Sequence, residues 1–198
     1  LAEGVIAVAQ SNGFAGLLSN TVAFGWSETG APGLALVLQM VRKLERLEKC
    51  SLICRNSPAA KRGGTVAVWW KGRENNGDLM LLLAHLLTCA SGWENSRIVL
   101  RTVVNSPDEI AARTDEFKKM LEVIRINADV EVFSKSPEDS ISKMIVNKSQ
   151  DASVVFLGLS VPEPGEEMAL AENLIELTDG LRSCVLVRNS GPYRGKLV

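Results

Sequence analysis

The chain has 198 residues, of which 46% are hydrophobic and 23% charged, a globular balance that argues against disorder and coiled coil and suffices for one core or two small ones. Lysine and arginine number 22 against 23 aspartate and glutamate, and no basic stripe is interleaved with aromatics, so nucleic acid is not an expected partner. The longest apolar run is far too short for a membrane span and no signal peptide opens the chain; its first residue, Leu1 rather than Met, suggests a piece of a longer polypeptide or a trimmed one.

Leu1 to Gln10 reads two ways: Val5, Ile6 and Val8 favour a strand, whereas Ala2, Ala7, Ala9 and the Asn12-Gly13 stop favour a helix end. Thr21 to Gly25 is a short strand. After a Gly/Ser/Pro loop, Leu34 to Lys49 sets Leu34, Val37, Leu38, Val41 and Leu44 on one helical face and Arg42, Lys43, Glu45, Arg46 and Glu48 elsewhere. Cys50 to Cys54 is the next buried strand, and Asn56 to Gly64 is a linker or trimmed loop. The expected division is therefore a partial N-terminal α/β subdomain over 1–55, a linker over 56–64 and a five-stranded α/β subdomain over 65–198.

Thr65 to Trp70 is β-branched and aromatic and is bounded by Gly63-Gly64 and a polar loop, the pattern of a buried strand. Asp78 is placed to cap the helix that follows, and Leu79 to Leu87 is apolar on every side, so that helix is expected to lie wholly between other elements. Arg97 to Val104 is a strand. Ser106-Pro107-Asp108-Glu109 opens a helix with Ile110, Thr114, Phe117, Leu121 and Ile124 on one side. Ala128 to Phe133 is a strand, and Ser136-Pro137-Glu138-Asp139 opens a helix with Ile141, Met144 and Ile145 inward. Ser153 to Leu159 is an apolar strand; Glu166 and Glu167 begin a helix that Gly180 ends, and Cys184 to Arg188 is the last strand. Alternating strands and helices from Thr65 onward predict a doubly wound, mostly parallel sheet with helices on both faces. The first part is expected to add strands to that sheet or to form a truncated second unit.

Chemistry-bearing constellations are sparse. Neither G-x-G-x-x-G nor G-x-x-x-x-G-K-[ST] occurs, and Gly191 to Lys196 has the wrong spacing and place. Gly25-Trp26-Ser27-Glu28-Thr29-Gly30 imitates a nucleophile elbow, with its second glycine one residue too far and His85, the lone histidine, embedded in a leucine-rich helix. Asp108, Glu109, Glu138, Asp139, Glu166 and Glu167 all fall at predicted helix starts, where capping and the dipole account for them. Cys50, Cys54, Cys89 and Cys184 form no C-x-x-C pair and read as small buried thiols of a reducing compartment rather than as a zinc site. Asn147-Lys148-Ser149 fits a glycosylation sequon and reads as a helix ending. Trp69 and Trp70 point to opposite faces of their strand and are expected to pack under two helix layers, with a ligand or partner role for one of them as the lesser alternative.

The run TVAVWW (65–70) with GDLMLLLAHLLT (77–88), followed by Trp93 and Arg97-Ile98, resembles the cytosolic carboxyl-terminal domain of cation-chloride cotransporters. LAEGVIAVAQSNGFAG (1–16) with Asn20-Thr21-Val22 and Gly25-Trp26 resembles that family's opening helix, glycine turn and strand. IRINADVEVF (124–133), MIVNKS (144–149) and LTDGLRSCVLVRN (177–189) resemble its potassium-chloride branch and its closing helix and strand. The resemblance spans nearly the whole chain in a shared order. It implies that Leu1 to Asn12 ends a helix and that the fold is like that of universal stress proteins. It further implies a non-catalytic domain on the cytoplasmic side of the cell membrane, serving homodimer assembly and regulation of a membrane transport domain in the same polypeptide, with no cofactor and no ion site. The links at Phe133 to Ile141 and Asn56 to Gly64 are short where animal relatives carry regulatory insertions, as in a prokaryotic-like form, and Lys71 to Asp78 replaces an acidic-glycine loop. The competing expectation is a free-standing nucleotide-binding protein of the universal-stress type. ATP-binding members of that type carry a G-x-x-G turn and a later G-[ST] after their fourth strand, a spacing that Gly158 to Gly165 lacks. A hydrolase using Ser27 is the third reading.

Overall fold

A computed structural model describes residues 2–11, 13–14, 17–57, 62–71, 76–136, 138–191 and 194 of the protein. The opening segment is a helix, α1 (Ala2–Ser11), which packs on α2 (Ala31–Arg46) and resolves the ambiguity in favour of the helical reading. A minimal antiparallel pair, β1 (Gly13–Phe14) and β2 (Leu17–Leu18), leads to β3 (Thr21–Gly25). Then follow α2, β4 (Cys50–Arg55), β5 (Thr65–Trp69), α3 (Gly77–Thr88), β6 (Arg97–Val104) and α4 (Glu109–Ile124). The chain continues through β7 (Asp129–Ser134), α5 (Ile141–Lys148), β8 (Ala152–Gly158), α6 (Glu167–Asp179) and β9 (Cys184–Arg188).

Seven strands form one sheet in the order β3-β4-β9-β8-β5-β6-β7. The five from β5 onward are mutually parallel, as the strand and helix alternation predicts. The first part adds β3 and β4 to the same sheet, parallel to each other, with β4 antiparallel to β9 and paired through Ser51↔Arg188 to Arg55↔Cys184. The sheet is thus a doubly wound α/β structure with one antiparallel seam. Residues 58–61 of the expected linker lie outside the described residues.

The two faces have separate cores because successive strand residues point opposite ways. Trp69, Ala67, Val155, Leu157 and Leu186 pack under α2 and α6, whereas Trp70, Val66, Val68, Leu100 and Phe156 pack under α3 and α4. The two tryptophans therefore serve opposite layers, as expected from strand geometry. Trp69 lies beside Phe133 with ring centroids 5.9 Å apart, and its indole N–H donates to Ser149 Oγ at 2.9 Å; Trp70 meets Phe117 edge-on at 5.9 Å.

Several local expectations are corrected. Helix α3 is not enclosed: Met80, Leu81 and Ala84 are buried against the sheet, but Leu86 is 56% exposed because no further layer covers the outer side among the described residues. Asp78 does not cap α3; the helix begins one residue earlier, with Asn76 at the cap position. Ser106 and Ser136 form turns ahead of their helices rather than caps. Ser106 Oγ accepts from the Asp108 N–H before α4, and Asp139 Oδ2 accepts from the Ser136 N–H before α5, whose cap is Ser140. Ile141 is exposed: it is the first residue of α5, and the helix packs on the core further along, through Ile145 and Val146. Gly180 does end α6, but in right-handed backbone (φ −80°): a side chain there would run into Val146 of α5, so close helix approach, not a left-handed cap, explains this glycine.

The thiols are not uniformly hidden. Cys50 and Cys184 are buried, Cys54 is half-buried and Cys89 is exposed at the end of α3. Burial pushes the Cys184 thiol up to about 12, with nearby Arg55 acting in the opposite direction and Cys54 adding to the rise. Cys89 is therefore expected to react with a thiol reagent at neutral pH orders of magnitude faster than Cys184, which becomes accessible only with unfolding. Mass spectrometry of partially labelled native protein reads this directly; early labelling of Cys184 would contradict the burial described.

Candidate switch-point cleft

In the parallel half of the sheet, β5 and β8 are neighbours, yet the chain leaves β5 into α3 on one face and leaves β8 toward α6 on the other. The connections part at the carboxyl ends of these strands, where an open α/β sheet forms its crevice. A cleft of about 760 Å³ opens there. The sheet contributes Trp69, Lys71, Gly158 and Arg188; α3 contributes its first turn at Asn76, Gly77 and Met80; and the loop after β8 contributes Leu159 to Glu163. From the first part of the chain, α2 lays Arg42, Glu45 and Arg46 along one wall.

Asn76 ties the floor together. It is buried and makes no side-chain cap bond to α3; instead its Nδ2 donates to the Leu159 carbonyl at 3.2 Å and its Oδ1 accepts from the Asn189 N–H at 2.8 Å. One side chain thus joins the start of α3 to the ends of β8 and β9. Gly158 is needed beneath it, since a Cβ there would stand 3.0 Å from Asn76 Nδ2. On the opposite side of the same turn, Gly77 allows α3 to start directly against the Trp70 ring.

Two ion pairs fasten α2 across the cleft. Arg42 bonds Glu167 at the start of α6, and Arg188 at the end of β9 bonds Glu45. Glu167 is buried and also accepts from the Gly165 N–H at 2.8 Å. Its own backbone N–H holds this carboxyl below the usual carboxylate range, helped by Gly165 and the Arg42 guanidinium and opposed by burial. The sign follows: a carboxyl with a lowered folded pKa adds stability that is complete above its unfolded value, about 4.3, and is lost as pH falls through the folded value. Glu167→Gln is accordingly expected to remove part of the acid-side decline in urea midpoint while lowering the midpoint at pH 7; an unchanged acid slope would contradict this role.

The residues that sequence patterns single out do not assemble into a catalytic group. Ser27 Oγ lies 2.9 Å from Thr29 Oγ1 in the turn before α2, whereas half-buried His85 belongs to α3 on the other face of the sheet. Asp108, Glu109, Glu138, Asp139, Glu166 and Glu167 remain dispersed at the helix starts of α4, α5 and α6. Ser149 ends α5 and is buried as the Trp69 acceptor, in keeping with a helix ending. Residues 192–193 and 195–198, which include most of the Gly191 to Lys196 imitation, lie outside the described residues. What sequence reading missed is the contribution of α2 and β9: Arg42 and Arg46 line one cleft with Lys71 and with Arg188, which follows Lys71 by more than a hundred residues, in no local motif.

No family model matches the chain. Among solved structures, the chain is similar to the cytoplasmic domain of a prokaryotic cation chloride cotransporter, with a TM-score of 0.70 at 20% identity over 98% of this chain and 71% of that one. It is also similar to a universal stress protein from Archaeoglobus fulgidus DSM 4304 (TM-score 0.56, 14% identity, 93% of this chain and 64% of that one). A putative universal stress protein from Pseudomonas aeruginosa UCBPP-PA14 gives 0.54 at 17% identity over 94% and 67%. At these identities the likeness establishes the fold: a doubly wound α/β sheet shared by a cotransporter cytoplasmic domain and by universal stress proteins. Among the described residues no helix is long and apolar enough to cross a membrane.

Proposed function

We propose that this chain is a non-catalytic domain on the cytoplasmic side of a cation-chloride cotransporter, a secondary symporter of cations with chloride, in a short form nearest the potassium-chloride branch. The observation that supports it best is the fold agreement over 98% of the chain with a cotransporter cytoplasmic domain, in combination with the ordered TVAVWW, GDLMLLLAHLLT and LTDGLRSCVLVRN segments. In this reading 1–55 connects the membrane transport domain of the same polypeptide to the unit 65–198, and the domain assembles as a homodimer. The outward Leu86 of α3, 56% exposed, and Val123 of α4, 76% exposed, supply apolar surface for such assembly. The test is a chimera in which this chain replaces the cytoplasmic domain of a prokaryotic cation-chloride cotransporter. Retained assembly and chloride-dependent rubidium uptake are the expected results; a monodisperse but inactive, unassembled chimera would overturn the proposal.

The second reading, a free-standing nucleotide-binding protein of the universal-stress type, is favoured by one observation: the cleft sits at the switch point of a universal-stress-like sheet. Against it, the loop from Leu159 to Gly165 has no glycine-rich turn for a triphosphate. Calorimetry with ATP separates the two readings.

A further inference from the structure

The sheet ends on two unlike edges, β3 and β7. β7 carries Asp129 and Glu131, charges of the kind that keep an edge strand from pairing with another chain. β3, Thr21 to Gly25, carries none. Its ladder with β4 runs through alternate residues: the Asn20 carbonyl accepts from the Cys50 N–H at 2.8 Å, and the Trp26 N–H donates to the Cys54 carbonyl at 2.9 Å. The backbone groups of Thr21, Ala23 and Gly25 therefore point away from β4. The Thr21 carbonyl accepts from the Ser19 hydroxyl at 3.2 Å, whereas Ala23 and Gly25 are exposed and make no hydrogen bond on that side among the described residues. Beside this edge lies an apolar groove of about 590 Å³. Its far wall is α1, which rests on α2 and presents Val5, Val8 and Ala9 toward Thr21, Val22 and Ala23. Val8 is 61% exposed, and no lining residue is charged.

We infer that this groove is a berth for one extended peptide, which adds to β3 as an eighth strand and lays its alternate, small apolar side chains against α1. The backbone decides the occupant's form. A helix or an acyl chain could cover Val5 and Val8 but would leave the Ala23 and Gly25 groups without partners, whereas a strand satisfies both needs. Size decides against a second folded copy: eight residues line the groove, against about 20–30 a side in a stable interface between folded proteins. A two-fold pairing of β3 with its own copy would also bring two α1 helices onto the same face of the seam. Charge sets the sequence, since an uncharged lining takes uncharged side chains along the stretch that crosses it. This surface is separate from Leu86 and Val123, and the inference holds whichever parent the domain serves.

The test is a fluorescence-anisotropy titration of the purified chain with a labelled peptide of alternating valine and threonine, lysine-tailed for solubility. Saturable binding is expected, weakened about tenfold by Val8→Glu and about tenfold or more by Ala23→Pro, which removes an outward N–H and leaves the β4 ladder intact. Circular dichroism checks that both variants are folded. Ile141→Glu, at an exposed apolar side chain of α5, is expected to change nothing. The same peptide N-methylated throughout keeps its side chains but has no backbone donors, and is expected not to bind. In hydrogen exchange, saturating peptide is expected to slow the Ala23 and Gly25 amides about tenfold while leaving the Val22 and Phe24 amides, already in the ladder, as they were. No saturable binding at millimolar peptide, equal binding of the N-methylated peptide, or binding indifferent to both variants would each overturn the proposal. Self-association that Ala23→Pro abolishes, with no peptide bound, would overturn it too and assign the edge to a second copy.

Discussion

Gly77→Ala is expected to destabilise the protein by about 2–3 kcal/mol, although glycine-to-alanine changes within helices ordinarily stabilise by up to about 1 kcal/mol. The methyl group would lie 2.6 Å from two atoms of the Trp70 ring. That ring cannot yield: it is 3% exposed, wedged against Phe117, and held through its backbone by the Trp70 N–H to Arg101 and the Thr102 hydroxyl to the Trp70 carbonyl at 2.7 Å each. Relief requires α3 to withdraw from the sheet, which loosens Met80, Leu81 and Ala84 as well. Urea unfolding followed by far-UV circular dichroism measures the cost. Gly165→Ala, with open space around its Cβ and a strained positive φ only, provides a milder comparison of about 1 kcal/mol. A Gly77→Ala protein as stable as the parent would show that the contact between helix and tryptophan is looser than described.

Arg101→Ala is expected to cost a similar 2–3 kcal/mol. Arg101 stands in the middle of β6 with its side chain 3% exposed; its Nε donates to Glu131 at 2.8 Å and its Nη2 to both oxygens of Asp151 at 3.1 Å. Removing it strands two carboxylates, but these are 42% and 46% exposed, so water recovers part of the loss and the full cost of a broken buried pair is not reached. Arg101→Met is expected to cost about half as much, because it loses the same Nε and Nη2 bonds but keeps the buried packing of the stem. Arg97→Ala is the contrast. That arginine is 63% exposed, meets Asp129 and Asp151 only at 3.9 and 4.0 Å and donates one long hydrogen bond, from Nε to Thr65 Oγ1 at 3.3 Å, so less than about 1 kcal/mol is expected. Equal effects at positions 97 and 101 would contradict the burial argument.

These residues also show how far the sequence could be read. The parallel order from β5 to β9 follows from short β-branched runs separated by amphipathic helices, since such strands need cover on both faces. The antiparallel seam between β4 and β9 does not follow, because Cys50 to Arg55 has the same apolar look whichever strand it joins, and its partner lies more than a hundred residues away. Helix starts were legible to within a few residues only. In the turns ahead of α4 and α5 the Ser106 hydroxyl accepts from the Asp108 N–H and the Ser136 N–H donates to Asp139, and Ser140, lacking a proline beside it, is the cap for α5.

The cleft was the least legible part. Arg42, Glu45 and Arg46 look like the solvated face of an amphipathic helix, which they are until the topology brings α6 and β9 beside them. One signal was available: Arg188 ends an otherwise apolar strand, and a cation in such a place must find a partner. Asn76 gave none, since its role depends on carbonyl and N–H groups contributed by Leu159 and Asn189.

The central claim is that this fold serves assembly rather than chemistry, and sedimentation equilibrium of the purified chain over a wide concentration range tests it most directly. The account predicts a reversible dimer, with the same association constant in the presence of ATP, that is weakened at least tenfold by Leu86→Glu on the exposed side of α3. A chain that stays monomeric at the highest concentrations would contradict it.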